Sequence, residues 1–385
     1  MSAQEQAITA WLASQRPAMV ALLEELVNTD SGTYDKAGVD AAGEVLKRFF
    51  RSIGLEPTTT PHDRFGEAIR AELPHATTND QRPIVLLGHR DTVFPKGEPQ
   101  RRPFTVKGNL AYGPGVADMK SGLVMNAFVL AAFAKLGGHP APIAMLVTSD
   151  EEIASPSSRP VIEAEARGAR AVFNSEPSQA PHQITKGRKG GVFMVMDVVG
   201  KASHSGAFYE RGISAIEEIA RKVIQLHKLT DLPAGITVNV GTIKGGQTVN
   251  TVAPWASAEI DLRYVTAAQR QPAIDAIRAI VETCTVKGAT ATLTISGEFL
   301  PLEQSEESRK MLTVYQGAAR QLGFEVEAVF GGGCADSGLT AAQGCPTLCS
   351  VGPVGGHGHT PEEFCDLDTL VPCAQALALS VMRLD

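Results

Sequence analysis

Ile84-Val85-Leu86-Leu87-Gly88-His89-Arg90-Asp91 is a run of four apolar residues that breaks at once into a glycine, a histidine and a carboxylate. The pattern returns at Ile143-Ala144-Met145-Leu146-Val147, which runs into Thr148-Ser149-Asp150-Glu151-Glu152, and at Ala171-Val172-Phe173, which runs into Asn174-Ser175-Glu176. Short, continuous apolar runs read as strands buried on both faces, and the helical stretches between them as crossovers. The helix between the first two runs opens near Lys120 and stops at Gly137-Gly138. The expectation is an α/β fold, a mostly parallel sheet covered by helices. A late helix over 308–322 and a strand over 346–351 complete it.

From about Gly191 the texture changes. Strands are predicted over 192–199, 236–243, 256–264 and 289–295, with helices over 212–229 and 267–284. That β-α-β-β-α-β order is the ferredoxin-like split unit. It reads as a second domain inserted into the first, so residues 1–182 and 298–385 form one domain and 183–297 the other. A chain of 385 residues suits two domains better than three.

Composition narrows the partners. The formal net charge of −7 is spread along the chain with no basic stripe, which argues against nucleic acid. The first 25 residues read as a polar start and an amphipathic helix carrying Met19, Leu22, Leu23 and Leu26, without the basic start and apolar core of a signal peptide. The apolar, uncharged stretch 123–134 is too short to cross a bilayer and reads as a buried helix. A soluble, cytoplasmic protein without membrane attachment is expected. Its cysteines, 284, 334, 345, 349, 365 and 373, form no C-x-x-C pair, and most are expected reduced and buried, with Cys334 also a candidate neighbour of the site.

Open α/β sheets bind ligands beyond the carboxyl ends of their strands. There the runs end in His89 and Asp91, in Glu151 and Glu152, and in Glu176, while the strand over 346–351 leads to His357 and His359. Taken singly, each has a plain alternative. His89 could be a structural histidine, Asp150-Glu151-Glu152 a solvated loop or helix start, and Asp118 an N-cap. Four strand ends converging on imidazoles and carboxylates instead make a metal site. Such a donor set suits zinc, with cobalt or manganese as substitutes. Asp91, two residues beyond His89, can orient the imidazole. Of the adjacent glutamates, one can bind metal while the other meets the water as general base. No phosphate-loop or dinucleotide fingerprint is present.

Six motifs carry a family resemblance. They are Gly88-His89-Arg90-Asp91-Thr92-Val93, the run from Tyr112 to Gly122 through Asp118, Asp150-Glu151-Glu152, Ser175-Glu176-Pro177, the run from Gly200 to Gly206 through His204, and the closing run from Gly356 to Phe364. In order and over essentially the whole chain, these resemble the glutamate carboxypeptidase, aminoacylase and succinyl-diaminopimelate desuccinylase family. The resemblance implies a catalytic domain of the zinc-exopeptidase type with an inserted dimerisation, or lid, domain. It implies two zinc ions per chain, one held by His89, Asp118 and Glu176 and the other by Asp118, Glu152 and His359. Glu151 would be the general base and proton donor, with Asp91 supporting His89. His204 would reach the partner subunit's site in a homodimer, and Asn250 and Arg263 would grip the carboxylate of a small-molecule substrate.

His359 is preferred over His357 because it precedes Thr360-Pro361-Glu362-Glu363-Phe364 at the family's spacing. The basic residues of glutamate-selective members have no clear match here. Glu298 stands near one expected place, and Lys186, Arg188 and Lys189 are left unassigned. The expected activity is hydrolysis of a peptide or N-acyl amide that releases an amino acid with a free carboxylate. An N-acyl amino acid amidohydrolase or a dipeptidase is the alternative within hydrolases, and a non-catalytic binding protein the alternative outside them.

Overall fold

The computed structural model describes residues 1–74 and 81–384. Packing divides the chain into two compact units, Met1–Gly187 with Leu302–Gly331 and Ala335–Asp385, and Arg188–Pro301 with Gly332–Cys334.

The first unit is built on an eight-stranded sheet in the order Thr58–Thr60, Ala68–Leu73, Ile143–Thr148, Ile84–His89, Ala171–Asn174, Thr347–Cys349, Gln183–Arg188 and Glu327–Gly331. The four strands from 143–148 to 347–349 are mutually parallel. Ala68–Leu73 pairs antiparallel on one side of them, and Gln183–Arg188 meets Thr347–Cys349 antiparallel on the other. The register sets His89 level with Thr148 and Leu87 level with Asn174, so the polar residues after each apolar run leave one edge of the sheet together.

Helix Ser121–Leu136 lies against the strands at 84–89 and 143–148, and helices Ala3–Ser14, Arg16–Val27 and Leu367–Met382 cover it. Its apolar residues run round the whole circumference because every face is covered, and all of Ser121 to Phe133 is buried. The stretch Val116–Leu136 is apolar and long enough to cross a membrane by composition, but 94% of that window is buried inside the fold. The amino-terminal segment differs from the expected polar start. Residues Ala3–Ser14 are already helical, opened by a capping box between Ser2 and Glu5 and anchored by buried Ile8 and Leu12. A small antiparallel sheet joins Thr105–Lys107, Leu110–Tyr112, Phe364–Asp366 and Gly355–Gly356.

The second unit is an antiparallel sheet in the order Thr237–Gly245, Trp255–Tyr264, Gly190–Val199 and Thr290–Phe299, with helices Ala215–His227 and Ala267–Glu282. With the observed chain order this is the ferredoxin-like split unit. Strand alternation sends Val192, Met194, Met196 and Val198 into a core with Ile219, Leu226, Ile274 and Ile277. Helix 215–227 is capped by the Ser214 side chain, which accepts from the Glu217 amide.

Candidate metal centre

His89 ends its strand almost fully buried. Its Nδ1 lies 3.1 Å from the Asp91 carbonyl oxygen and 3.4 Å from the Asp91 carboxylate, which turns Nε2 toward the site. Nε2 stands 3.2 Å from Asp118 Oδ1, 3.8 Å from Glu176 Oε1 and 3.9 Å from Glu151 Oε2. The other oxygen of Asp118, Oδ2, is 3.3 Å from His359 Nε2, and that nitrogen is 3.1 Å from Glu152 Oε2. One carboxylate thus faces both imidazoles, with a glutamate beside each. Ligand atoms of His89, Asp118 and Glu152 lie within 4.8 Å of one another.

The backbone explains how Asp118 comes to sit there. Gly113 and Gly115 take φ of 145° and 72°, values open to glycine, and the chain folds tightly before the helix begins. Glu363, fully buried, accepts from the amides of Gly115, Ala117 and Asp118, each at 2.9 Å. Glu363 lies four residues beyond His359, so one short segment both supplies an imidazole and fixes the loop of Asp118. Glu176 is placed by a close approach: a side chain at Gly122 would meet the Ser175 carbonyl oxygen at 2.0 Å.

The loop of Glu151 and Glu152 is clamped twice. Asp91 accepts the amides of both, at 3.2 and 3.3 Å, and is itself bound by the Thr33 hydroxyl at 2.8 Å. Asp150 accepts the amide of Ser157 at 2.6 Å, and Asp336 accepts the hydroxyl of Ser155 at 2.5 Å.

The electrostatics favour a cation. Burial works against a charged His89, but hydrogen bonds to Asp118 and Asp91 and the charges of Glu151 and Glu176 hold its pKa well above the usual value. Hydrogen bonds to Asp118 and Glu152 push His359 up to about 10. Burial first, then the charges of Glu176, Asp336 and Glu152, keep the Glu151 carboxyl well above the carboxylate range despite nearby His89. Imidazoles driven toward the charged form among crowded carboxylates mark a place that lacks positive charge, and a divalent ion supplies it. The donor set of two imidazole nitrogens and several carboxylate oxygens fits zinc-class ions.

The other expected residues belong to the second unit. His204 is exposed, and its Nδ1 accepts the amides of Gly206 and Ala207, both at 3.1 Å, so its neutral form carries the proton on Nε2. Asn250 is exposed, and its carbonyl accepts the amide of Ser205, which joins its loop to that of His204. Arg263 is more engaged than the sequence implies. Its Nε donates to Asp261 at 2.8 Å, Nη1 lies 2.7 Å from Cys334 Sγ, and the guanidinium sits over the Phe193 ring. Glu298 pairs with Arg270, and Arg188 reaches the carbonyls of Gly333 and Cys334. His357 packs its ring 5.8 Å from that of Phe364. All six cysteines are free thiols.

Sequence reasoning missed three buried ions around the site. Glu363 was visible only as part of a motif, and Asp336 was not singled out at all. Arg90 is fully buried and donates to the carbonyls of Val39 and Thr148 at 2.9 and 3.2 Å.

The sequence profile described as Peptidase family M20/M25/M40 matches residues 85–383. Carboxypeptidase G2 from Pseudomonas sp. (strain RS-16) is 28% identical over 365 residues, covering 92% of this chain and 86% of that one. Acetylornithine deacetylase from Proteus mirabilis is 25% identical over 387 residues, covering 94% and 95%. Among solved structures, an M20 family metallo-carboxypeptidase from Sulfolobus solfataricus superposes with a TM-score of 0.79 at 17% identity, covering 94% of this chain and 98% of that one. The chain therefore belongs to peptidase family M20/M25/M40 and is a metal-dependent peptidase or amidohydrolase.

Proposed function

We propose that this chain hydrolyses a peptide or N-acyl amide bond and releases an amino acid with a free carboxylate, in the manner of a glutamate carboxypeptidase. The observation that carries the reading is Asp118, whose two oxygens face two imidazoles with Glu151 alongside. His89, Asp118 and Glu176 are assigned to one zinc ion and Asp118, Glu152 and His359 to a second, with cobalt or manganese as substitutes. When bound, such ions acidify water and polarise a carbonyl.

The side chains do the rest. The Glu151 carboxylate takes a proton from the attacking water and returns it to the leaving amine. Burial first, and then the charge of neighbouring carboxylates, raises its affinity for that proton. Asp91 keeps His89 in one orientation. His204, with its proton on Nε2, is assigned the developing oxyanion of a partner subunit's substrate. Asn250 and Arg263 are assigned the substrate carboxylate; for Arg263 this means sharing or replacing its contact with Cys334.

The dimer contact and lid role are assigned to the inserted segment, 183–297 by sequence and Arg188–Pro301 with Gly332–Cys334 by packing. Exposed Ile216, Ile224 and Ile243 in that unit support a homodimer. Six free thiols support a cytoplasmic setting.

Zinc-loaded protein should release amine from N-acyl amino acids, dipeptides or both. Protein with verified metal that cleaves neither would end the reading. A deacylase that prefers N-acyl amino acids to peptides is the second reading, favoured by the acetylornithine deacetylase relative.

A further inference from the structure

The proposed metal ligands leave the carboxyl ends of the parallel strands. At the opposite ends of the same strands, within the first unit, lies a cavity of about 610 Å³. Its floor is made by Arg170, just ahead of strand Ala171–Asn174, and by Cys345 and Pro346, just ahead of strand Thr347–Cys349. Backbone ties these ends together. Arg170 donates its amide to the Pro83 carbonyl and Val172 donates to the Pro346 carbonyl, each at 2.9 Å. The floor is therefore as fixed as the sheet, and its size suits a small molecule.

The charge of the cavity is lopsided. Four arginines and one lysine line it, against a single carboxylate, Glu307. Some of these cations are spent. Arg383 pairs with Glu5 at 2.7 Å, and Lys310 faces Glu306 and Glu307 at 3.7 and 4.0 Å. Arg82 has an interaction of its own. Arg167 and Arg170 differ from the rest. Arg167 gives Nη1 to the Gln343 side-chain oxygen at 2.9 Å, and Arg170 gives Nη2 to the Leu384 carbonyl at 3.2 Å. Both acceptors are neutral, and among the described residues neither guanidinium is paired with a carboxylate. The carboxyl ends of helices Arg159–Gly168 and Leu367–Met382 add only about half a negative charge each. Positive charge is left over.

The remaining donors say what fits. Each guanidinium keeps N–H groups beyond the one already given, and a fork of that shape matches a flat pair of oxygens. A carboxylate occupies one fork, whereas a phosphate has oxygens enough for two. Met311, Val314 and Leu384 supply apolar wall beside them.

We infer that this cavity is a second ligand site, separate from the metal centre, and that it takes a phosphate monoester, the phosphate on Arg167 and Arg170 and a short apolar body against Met311 and Val314.

The probes are butyl phosphate, inorganic phosphate and butyrate, titrated calorimetrically into zinc-loaded and into chelated protein at constant ionic strength. Butyl phosphate should bind with a Kd of about 1 mM or tighter. Inorganic phosphate, lacking the apolar body, should bind about tenfold more weakly, and butyrate should be the weakest. The binding should survive chelation, which separates it from phosphate held by metal. Gln343→Glu sets a carboxylate beside Arg167 with little change of shape and should weaken butyl phosphate about tenfold. Arg167→Ser with Arg170→Ser should abolish the binding, and amide hydrolysis should be unchanged in both variants. If the double variant does not fold, Gln343→Glu decides. No binding of either phosphate, equal affinity in wild-type and Gln343→Glu protein, loss of the binding on chelation, or butyrate as tight as butyl phosphate would overturn the site. Asp385 follows Leu384 and lies outside the described residues. Binding seen only in Asp385→Ala protein would give the cavity to the chain's own carboxylate and overturn the site as well.

Discussion

Glu363 gives the sharpest test of how the centre is built. Its carboxylate is fully buried, with Oε1 accepting from Ala117 and Asp118 and Oε2 from Gly115, each at 2.9 Å. In Glu363→Gln the remaining oxygen can still serve Ala117 and Asp118. The new –NH2 then faces the Gly115 amide, donor against donor. One buried N–H is stranded, which costs about 1–3 kcal/mol. Glu363→Ala strands all three and leaves a void, and a loss of about 3–5 kcal/mol is expected.

An opposing effect has to be weighed. Burial and the charge of Asp118 push the Glu363 carboxyl up to about 7 against the pull of those three amides, so its charge is itself a burden on the fold. Gln removes that burden, which offsets part of the cost of the stranded donor. The net rise shows that burial outweighs the bonds for the ionised form, so Gln, which still serves Ala117 and Asp118, falls at the low end of its range. Urea unfolding of metal-free protein reads the stability, and zinc titration against a competing chelator reads the site. Because one stranded group neighbours Asp118, zinc affinity should fall about 10–100-fold in both variants. A Gln variant with unchanged midpoint and unchanged zinc affinity would refute the reasoning, as would Ala milder than Gln.

Chelation should abolish activity while leaving the large first-unit core folded, and readdition of zinc-class ions, up to two per chain, should restore it; full activity in protein verified free of metal would contradict the site. Glu151→Gln should keep its metal and lose turnover by about 10²–10⁴-fold, since it can neither take nor return the proton, and metal loss in Glu151→Gln but not in Glu152→Gln would reverse the two roles. Arg263→Lys should impair cleavage despite keeping the charge, because a lysine cannot present a fork to a carboxylate; equal rates on free-acid and amidated substrates would exclude the grip. Glu218, buried against Lys222 at 2.9 Å and the amides of Thr285 and Val286, is held below its ordinary pKa because those bonds outweigh burial. A lowered folded pKa gives stability that is full above the ordinary carboxylate value and lost as pH falls through the folded one. Glu218→Gln should therefore cost about 3–5 kcal/mol near pH 7 and progressively less in acid, and a penalty independent of pH would show that the charge is idle.

Much of the centre was legible because parallel strands encode it locally. Each buried strand is a run of apolar residues, and the residue that ends the run leaves the sheet at the ligand edge. His89, Glu152 and Glu176, the proposed ligands, could be picked out as candidates without any knowledge of pairing. The supports could not. Glu363 serves amides some 245 residues away, and nothing in the sequence marks an amide as waiting for a carboxylate. Arg90, between His89 and Asp91, has the look of a loop cation, yet it is fully buried because its donors meet carbonyls of three separate segments. Arg263 reads as a free fork on a strand, and its tie to Cys334 depends on a segment 71 positions away. The edge strand at 58–60 and the strand at 183–188, one in from the other edge, were also missed, the first too short and exposed to show a period, the second rich in polar residues.

The supports also change what the metal is needed for. Asp91, Asp150, Asp336 and Glu363 each bind backbone or hydroxyl groups of loops that carry the proposed ligands or the base. Those bonds run from side chain to protein groups, so the chain itself supplies the hold on these loops. That arrangement concentrates negative charge: Asp118, Glu151, Glu152 and Glu176 face inward while Asp91, Asp336 and Glu363 stand behind them. The imidazoles respond by holding protons, His359 up to about 10. A divalent cation replaces those protons and neutralises carboxylates that the fold has already gathered. Such a cation would compete with protons at the imidazoles, at ligands whose loops the chain's own bonds hold.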